Sequence, residues 1–375
     1  MSSSPEETTL PQRLQSSNNL GEQNSKDQIK KNGYFEQDLV WRNVIVYIVL
    51  HYLLIFAIWR LLTGQMKIVT FLFHCIYGGA SIAGVTAGNH RLWAHRTYKA
   101  KLPLRIFLML MQTTTIQNNI YVWARDHRLH HKYTDTAADP HNSNRGFFFS
   151  HVGWLLMKKN PEVKNKGKNI DMSDVAADPV VQFQIKYYGR LALFMAYILP
   201  AICTMYLLGE TFANSLLICN MRHLVGLNMT WSVNSAAHIW GWKPYDSSIN
   251  PVENPSVALI TLGEGWHNYH HTFPWDYKAA ELGNYALNGT TAFLDLMAYL
   301  GQAYDLKTVS PEMVRKRVAR TGDGSYKHGK VPLQNSNAKD HHDTTTIDEG
   351  FVWGWDDKDM KVEDIKDATL TFKSS

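Results

Sequence analysis

Two stretches of this 375-residue chain share one spacing, HRLHH at 127–131 and HNYHH at 267–271. On a helix of ~3.6 residues per turn, positions i, i+3 and i+4 lie on one face. HxxHH therefore aims three nitrogen donors toward one point. Of 17 histidines, nine fall in four stretches: His90 and His95 in HRLWAH, His127, His130 and His131 in HRLHH, His238 in NSAAH, and His267, His270 and His271 in HNYHH. The HxxxxH pair fits this scheme less well, because five residues turn a helix by roughly 140°. His90 and His95 belong at a helix end, or on two different metals.

Nine neutral imidazoles are too many for one metal and suit two. Nitrogen donors of intermediate softness accept Fe, Zn, Cu or Ni. A catalytic zinc site uses about three protein ligands and a water, so a pair of all-histidine sites with room for oxygen points to iron. One HxxHH in a chain this long is about a few-percent event by chance; two, with HxxxxH as well, make chance a poor account. His51 and His74 read as packing or buried hydrogen bonds. His141 and His151 read as structural or as supports of the ligands, and His328, His341 and His342 as solvated.

Such donors need elements that gather them. Residues 44–62 and 68–88 are apolar runs about as long as the ~20 residues of a spanning helix, and a short link makes them a hairpin. A second pair follows at 191–208 and roughly 215–233, joined by GETFAN. The last run is the least apolar, with Asn220, Arg222, His223 and Asn228; ionisable groups in a span face the bundle or a cavity. The run 103–116 is too short to span and reads as an interfacial helix or a cavity wall.

Four spans return the chain to its starting side, so the N-terminal tail, segment 89–190 and everything after 234 share one face. Segment 89–190 is dense in Lys and Arg and GETFAN has neither, which places that face in the cytosol. The expected fold is an all-α integral membrane protein, with four transmembrane helices in two hairpins under a helical cytosolic cap that holds a di-metal site. Residues 1–39 are polar and aperiodic and read as a disordered N-terminal tail. Residues 40–325 form the membrane domain and 326–375 a polar C-terminal tail. Within that tail, FVWGWDD at 351–357 either touches the cap or a partner, or packs loosely. No signal peptide is expected, since the first apolar run follows the polar tail. Cys75, Cys203 and Cys219 form no CxxC pair, which argues against a disulfide framework and a zinc ribbon. The net charge of +5 says little by itself.

HRLWAH, WARDHRLHHKYTDT, ADPHN, RGFFFSHVGWLL, NSAAH and GEGWHNYHHTFPWDY together resemble the membrane acyl-CoA desaturases, the stearoyl-CoA desaturase family of animals, its insect branch in particular. The likeness covers about residues 40–325 and includes three histidine boxes in order. It implies a reaction in which O2 and two electrons remove two hydrogens from adjacent methylenes of a fatty acyl-CoA, leaving a cis double bond and water. The chemistry of the residues agrees. An unactivated methylene C–H has no useful acidity, so acid–base side chains cannot break it. A redox metal centre carries that step, and the protein holds the chain and excludes water.

By this resemblance the nine histidines hold two Fe2+ ions, with Asn234 acting through a water. Asn43, Arg125, Asp126, Lys158 and Lys159 receive the CoA head, as a cationic cluster would. Gln117, Asn118, Trp123, Thr230 and Trp231 line the bend of the acyl tunnel, whose floor lies near Gly78 and Ile82. Plainer readings stand beside these: a solvated pair for Lys158 and Lys159, a helix N-cap for Asp126, and packing or interface anchoring for the two tryptophans. The chain departs from the family pattern at Asn89, Ile116 and HIWG (238–241). Those departures leave the bond position open: Δ9 on C16 or C18 chains is the first expectation, Δ11 or another specialised, pheromone-type activity the second.

No HPGG haem motif and no GxGxxG loop accompanies a strand–helix turn, so neither haem nor flavin is expected in this chain. The resemblance implies cytochrome b5 with its NADH reductase as electron source, the endoplasmic reticulum membrane as location, and no nucleic-acid partner. Two other classes compete: a di-iron lipid hydroxylase with the same ligand set, and a non-enzymatic metal-bearing membrane scaffold or transporter.

Overall fold

A computed structural model describes residues 37–327 and 351–373. The expected N-terminal tail, apart from its last three residues, and His328, His341 and His342 lie outside the described residues.

Helix α1 (Trp41–Leu62) and helix α2 (Ile68–Ala94) form the first hairpin. Apolar side chains cover α1 on nearly every side, and Ile45, Ile48, Tyr52 and Ile55 are exposed. A helix apolar all round needs an apolar surround. α2 is α-helical to Ala83 and π-helical from Gly84 to Ala94. Strand β1 (Lys99–Ala100) leads into α3 (Leu102–Thr113), which buries Leu104, Leu108 and Met111 on one face. α4 (Ile120–Lys132) begins at an Asn119 cap, whose side chain accepts from Val122 N at 2.9 Å.

α5 (Pro179–Leu208) and α6 (Phe212–Asn234) form the second hairpin. A π-helical stretch at Phe194–Ile198 precedes Pro200, which has no N–H for Ala196 O, and Arg222 donates to that carbonyl instead. Among the described residues three helices, α1, α2 and α5, are long and apolar enough to cross a membrane. The run expected as a fourth span forms helix α6, 23 residues long, which is less apolar and is not among those three. Its polar groups point inward: Asn220 Nδ2 donates to Leu50 O at 3.1 Å, and Arg222 donates to Ala196 O at 2.5 Å and to Ser81 Oγ at 3.4 Å.

The remaining chain packs over one end of these helices. It includes α7 (Ala236–Ile239), α8 (His267–Thr272), β2 (Ala303–Tyr304), β3 (Leu306–Thr308) and β4 (Thr369–Thr371). The expectation of an all-α chain needs correction. β1 pairs antiparallel with β2, and β3 with β4, though both pairings are short and the fold stays mostly helical.

The main core joins α2, α3, α4 and α5 through Trp93, Tyr98, Leu108, Ile120 and Val181. Where α2 crosses α3, Gly84 is required: a Cβ there would lie 2.8 Å from the Met111 Cβ and closer still to the α3 backbone.

Candidate metal centre and adjoining cavity

The cap gathers the nine histidines from four separated stretches into two groups. His90, His95, His127, His131 and His270 form one; His130, His238, His267 and His271 form the other. Within each group the candidate ligand atoms lie within 4.8 Å of one another. Nε2 of His90 faces Nε2 of His270 at 2.9 Å, His95 faces His127 at 2.8 Å, and His131 faces His270 at 3.1 Å. In the second group His130 meets His271 at 3.3 Å, His238 meets His267 at 3.1 Å, and His267 meets His271 at 3.2 Å.

This arrangement differs from the simple HxxHH picture. His127 and His131 serve the first group and His130 the second; His267 and His271 serve the second and His270 the first. Adjacent helical residues are about 100° apart, so positions i+3 and i+4 flank position i on opposite sides. The i, i+4 pair shares one group and the i+3 ring reaches the other. His90 and His95 behave in the opposite way. They sit at a helix end, as one expectation had it, but join the same group. The π-helix supplies the reason: His95 N donates to His90 O at 3.1 Å, an i→i+5 bond that stacks one residue above the other.

Carboxylates fix the rings from behind. His90 Nδ1 lies 2.6 Å from Glu264, His130 Nδ1 2.8 Å from Asp139 and His238 Nδ1 3.0 Å from Asp135. A proton on Nδ1 leaves the Nε2 lone pair directed at the centre, which is how metal-binding histidines are held. Burial opposes ionisation of Glu264, yet Arg91 and His90 hold its carboxyl down at about 2. Burial, then neighbouring imidazoles, keeps His95, His127, His131, His267, His270 and His271 well below the ordinary imidazole range. His130 is the exception: burial favours its neutral form, but Asp139 prevails and raises it. Neutral rings whose lone pairs converge at ~3 Å repel unless a cation lies among them, so this donor set fits two nitrogen-ligated metal ions.

Two arginines tie the boxes together. Arg91 is fully buried and reaches Glu264 at 2.7 Å, Tyr277 O at 2.9 Å and Thr291 Oγ at 3.1 Å. Arg128, also fully buried, donates to Trp93 O at 2.7 Å, Ala94 O at 2.9 Å and Asp174 at 2.7 Å. Neither arginine was expected at the site from the sequence, nor were the three carboxylates. A signal was there: each of the first two boxes opens with the same tripeptide, HRL, at 90–92 and 127–129. His141 belongs with the supports, its ring 4.4 Å from that of His130 and its pKa pushed down to about 3 by burial. His151 bonds Ser235 Oγ at 2.9 Å and Asn228 Oδ1 at 3.1 Å. His51 bonds Tyr47 O at 2.7 Å, whereas neither ring nitrogen of His74 has a hydrogen-bond partner.

A mostly apolar cavity of about 400 Å³ runs from His90, His127, His130 and His267 down along α2 and α6. Asn234, Gly78 and Ile82 line it, as do Gln117, Trp123 and Thr230. The last three form a chain: Trp123 Nε1 donates to Gln117 at 3.3 Å, and Gln117 Nε2 to Thr230 Oγ at 3.0 Å. Two residues expected on the tunnel lie outside its lining. Asn118 sits at φ 68° and offers its carbonyl to Gln112, while Trp231 is buried edge-on to Tyr47 at 5.4 Å. Asn89, beside His90, is fully buried, and its amide has no partner.

The expected head-group residues form a polar edge. Asp126 pairs with Arg125 at 2.8 Å and with Lys159; it lies inside α4, which excludes the N-cap reading. Lys158 pairs with Asp38 at 2.9 Å, and Asn43 donates to Leu155 O at 2.7 Å. Lys158 and Lys159 line a second, more polar cavity of about 320 Å³; Arg125, Asp126 and Asn43 stand outside its lining.

The chain matches the family model for fatty acid desaturase over residues 65–282. It is 51% identical to an acyl-CoA Delta-9 desaturase of Acheta domesticus over 350 residues, 93% of this chain and 90% of the relative. It is 50% identical to an acyl-CoA Delta12-desaturase of the same species, covering 90% and 87%. An acyl-CoA Delta(11) desaturase of Trichoplusia ni is 47% identical, covering 89% and 88%.

Proposed function

This chain belongs to the fatty acid desaturase family and is an acyl-CoA desaturase, and we propose that it inserts a cis double bond into a saturated fatty acyl-CoA, at Δ9 of C16 or C18 chains. The observation that carries this reading is the pair of histidine groups at the head of an apolar cavity of about 400 Å³. In balance, the acyl chain loses two hydrogens while O2 takes these, two electrons and two protons to become two waters.

His90, His95, His127, His131 and His270 would hold one iron, and His130, His238, His267 and His271 the other, with Asn234 joining through a water. Bound iron supplies the redox chemistry that a C–H bond of no acidity requires. The chain's own residues do the rest. The cavity gathers the methylenes, each contributing about 0.8 kcal/mol on leaving water. The Trp123–Gln117–Thr230 chain fixes the wall beside the histidines, with Asn118 and Trp231 as its backing. Arg125, Asp126, Lys158, Lys159 and Asn43 would meet the CoA head, Arg and Lys facing phosphate.

On this reading α6 completes a four-span bundle, its polar face turned to the cavity. The cap and both termini then face the cytosol at the endoplasmic reticulum membrane, where cytochrome b5 and its reductase would supply electrons. Residues 40–325 would be the membrane domain.

The second reading is Δ11 or another specialised desaturation. Relatives of similar identity are named for Δ9, Δ12 and Δ11, and the unpartnered Asn89 amide stands beside the metal centre. Expression in yeast lacking its own desaturase, with double bonds located by derivatisation, decides the matter. New Δ9 monoenes support the first reading and Δ11 products the second. A hydroxylated chain, carrying one more oxygen, would refute both.

A further inference from the structure

Segment Phe351–Lys373 lies outside the stretch matched by the family model, residues 65–282, yet it is built into the metal centre. Carboxylates hold Nδ1 of His90, His130 and His238. Nδ1 of His95 meets instead the main-chain carbonyl of Trp353. The contact is reciprocal, since Trp355 N donates to His95 O at 2.9 Å.

Three further contacts clamp this segment. The Trp353 indole is 3% exposed and lies under Arg128, whose Cζ is 3.9 Å from the ring centroid. Lys132, next to His131, pairs with Asp357 at 2.7 Å and with Asp359. Gly354 is pressed on His95, where an added Cβ would stand 2.5 Å from the carbonyl oxygen and 2.7 Å from Cα. Downstream, β4 pairs with β3, and Ser310 Oγ donates to Asp367 at 2.8 Å. The segment is thus fastened at both ends. Of the three readings of FVWGWDD, contact with the cap is the one observed.

We propose that Phe351–Lys373 is a strap that positions His95, so that metal binding by the group His90, His95, His127, His131 and His270 depends on the C-terminal segment while binding by the other group does not. This rests on the metal reading above. The Trp353 carbonyl accepts the Nδ1 proton of His95 and leaves Nε2 as the ligand. Without that acceptor the ring is free to turn or to change tautomer. Partners behind a ligand change metal affinity by about 10- to 100-fold. The strap's carbonyl belongs to the backbone, so side-chain truncation at residue 353 does not remove it. Gly354→Val pushes the strap off His95, and Asp357→Asn with Asp359→Asn releases it from Lys132.

The test uses the full chain, unaltered and with each change, loaded with Fe2+ and followed for iron per chain and for the time course of release to a chelator. The unaltered protein holds two irons. Each variant is expected to release one iron about 10- to 100-fold faster, with the other leaving at the unaltered rate. Equal rates for both irons in both variants overturn the strap, and so does parallel acceleration of both irons, which is the mark of a general loosening of the fold. If the unaltered chain holds no iron, the metal reading itself has failed; that outcome is distinct from a strap failure, in which two irons are present.

Discussion

His90, His130 and His238 each turn one ring nitrogen to a carboxylate and the other to one of the two histidine groups. Glu253, another buried carboxylate, sits beneath the HNYHH helix without facing a histidine ring, and Tyr269 N donates to it at 2.8 Å. Burial raises its carboxyl to about 8. In the unfolded chain a glutamate ionises near ~4.3. Between those values the folded protein holds the extra proton, so stability falls as pH rises through this window and levels off above about 8. The slope is at most about 1.4 kcal/mol per pH unit. Glu253→Gln, which has no proton to lose, is expected to flatten the decline of Tm between pH 5 and 8. An unchanged pH slope in the variant contradicts the assignment. At this scale the sequence was legible in part. Residue types and spacing singled out the histidine boxes whose rings are gathered in two groups, while His238 rested more on the family resemblance. They did not tell which ring joins which group, because that depends on the hundred-degree step between neighbours and on the π-helical turn at His90–His95. Glu264 and Arg91 were missed because their roles arise only when box one meets box three.

At the scale of elements, α2 and α6 form the walls of the cavity, and their small residues set its depth. Gly78 lines the cavity, and a Cβ there meets only the Arg222 side chain, Cγ at an ordinary 3.5 Å and Cδ at 3.9 Å. An alanine is therefore tolerated, while a larger side chain grows into the space. Gly78→Leu is expected to shorten the preferred acyl chain. Excluding two methylenes costs about 1.6 kcal/mol, so C18 turnover should drop about tenfold relative to C16, with iron content unchanged. An unaltered chain-length profile places the methyl end elsewhere. Apolar length marked α1, α2 and α5 in the sequence, and it marked α6 weakly. The reason is physical: Asn220 and Arg222 bond carbonyls of neighbouring helices, which makes them affordable in the bundle interior but costly in any count of hydropathy. The split of HxxHH between two groups shows the same limit, since it depends on four elements meeting and not on any one of them.

For the whole molecule, an apolar base under a cap that carries histidines and charge explains how a greasy chain and a polar head are held by one protein. Three long apolar helices and the position of the boxes were readable from the sequence; the order of four spans belongs to the proposal. The strap was not readable, since its link to His95 runs through a backbone carbonyl 258 residues away. If cytochrome b5 docks on the basic face of the cap, added salt should slow turnover with that carrier more than turnover with a small chemical reductant. An equal response to salt argues against docking there. The central claim is that nine imidazoles from distant stretches hold two ions beside a hydrocarbon slot. Elemental analysis of the purified full-length protein tests it most directly. The prediction is two irons per chain, falling to about one when His130 or His270 is replaced by alanine; less than one iron in the unaltered protein, or two irons retained in both variants, would contradict it.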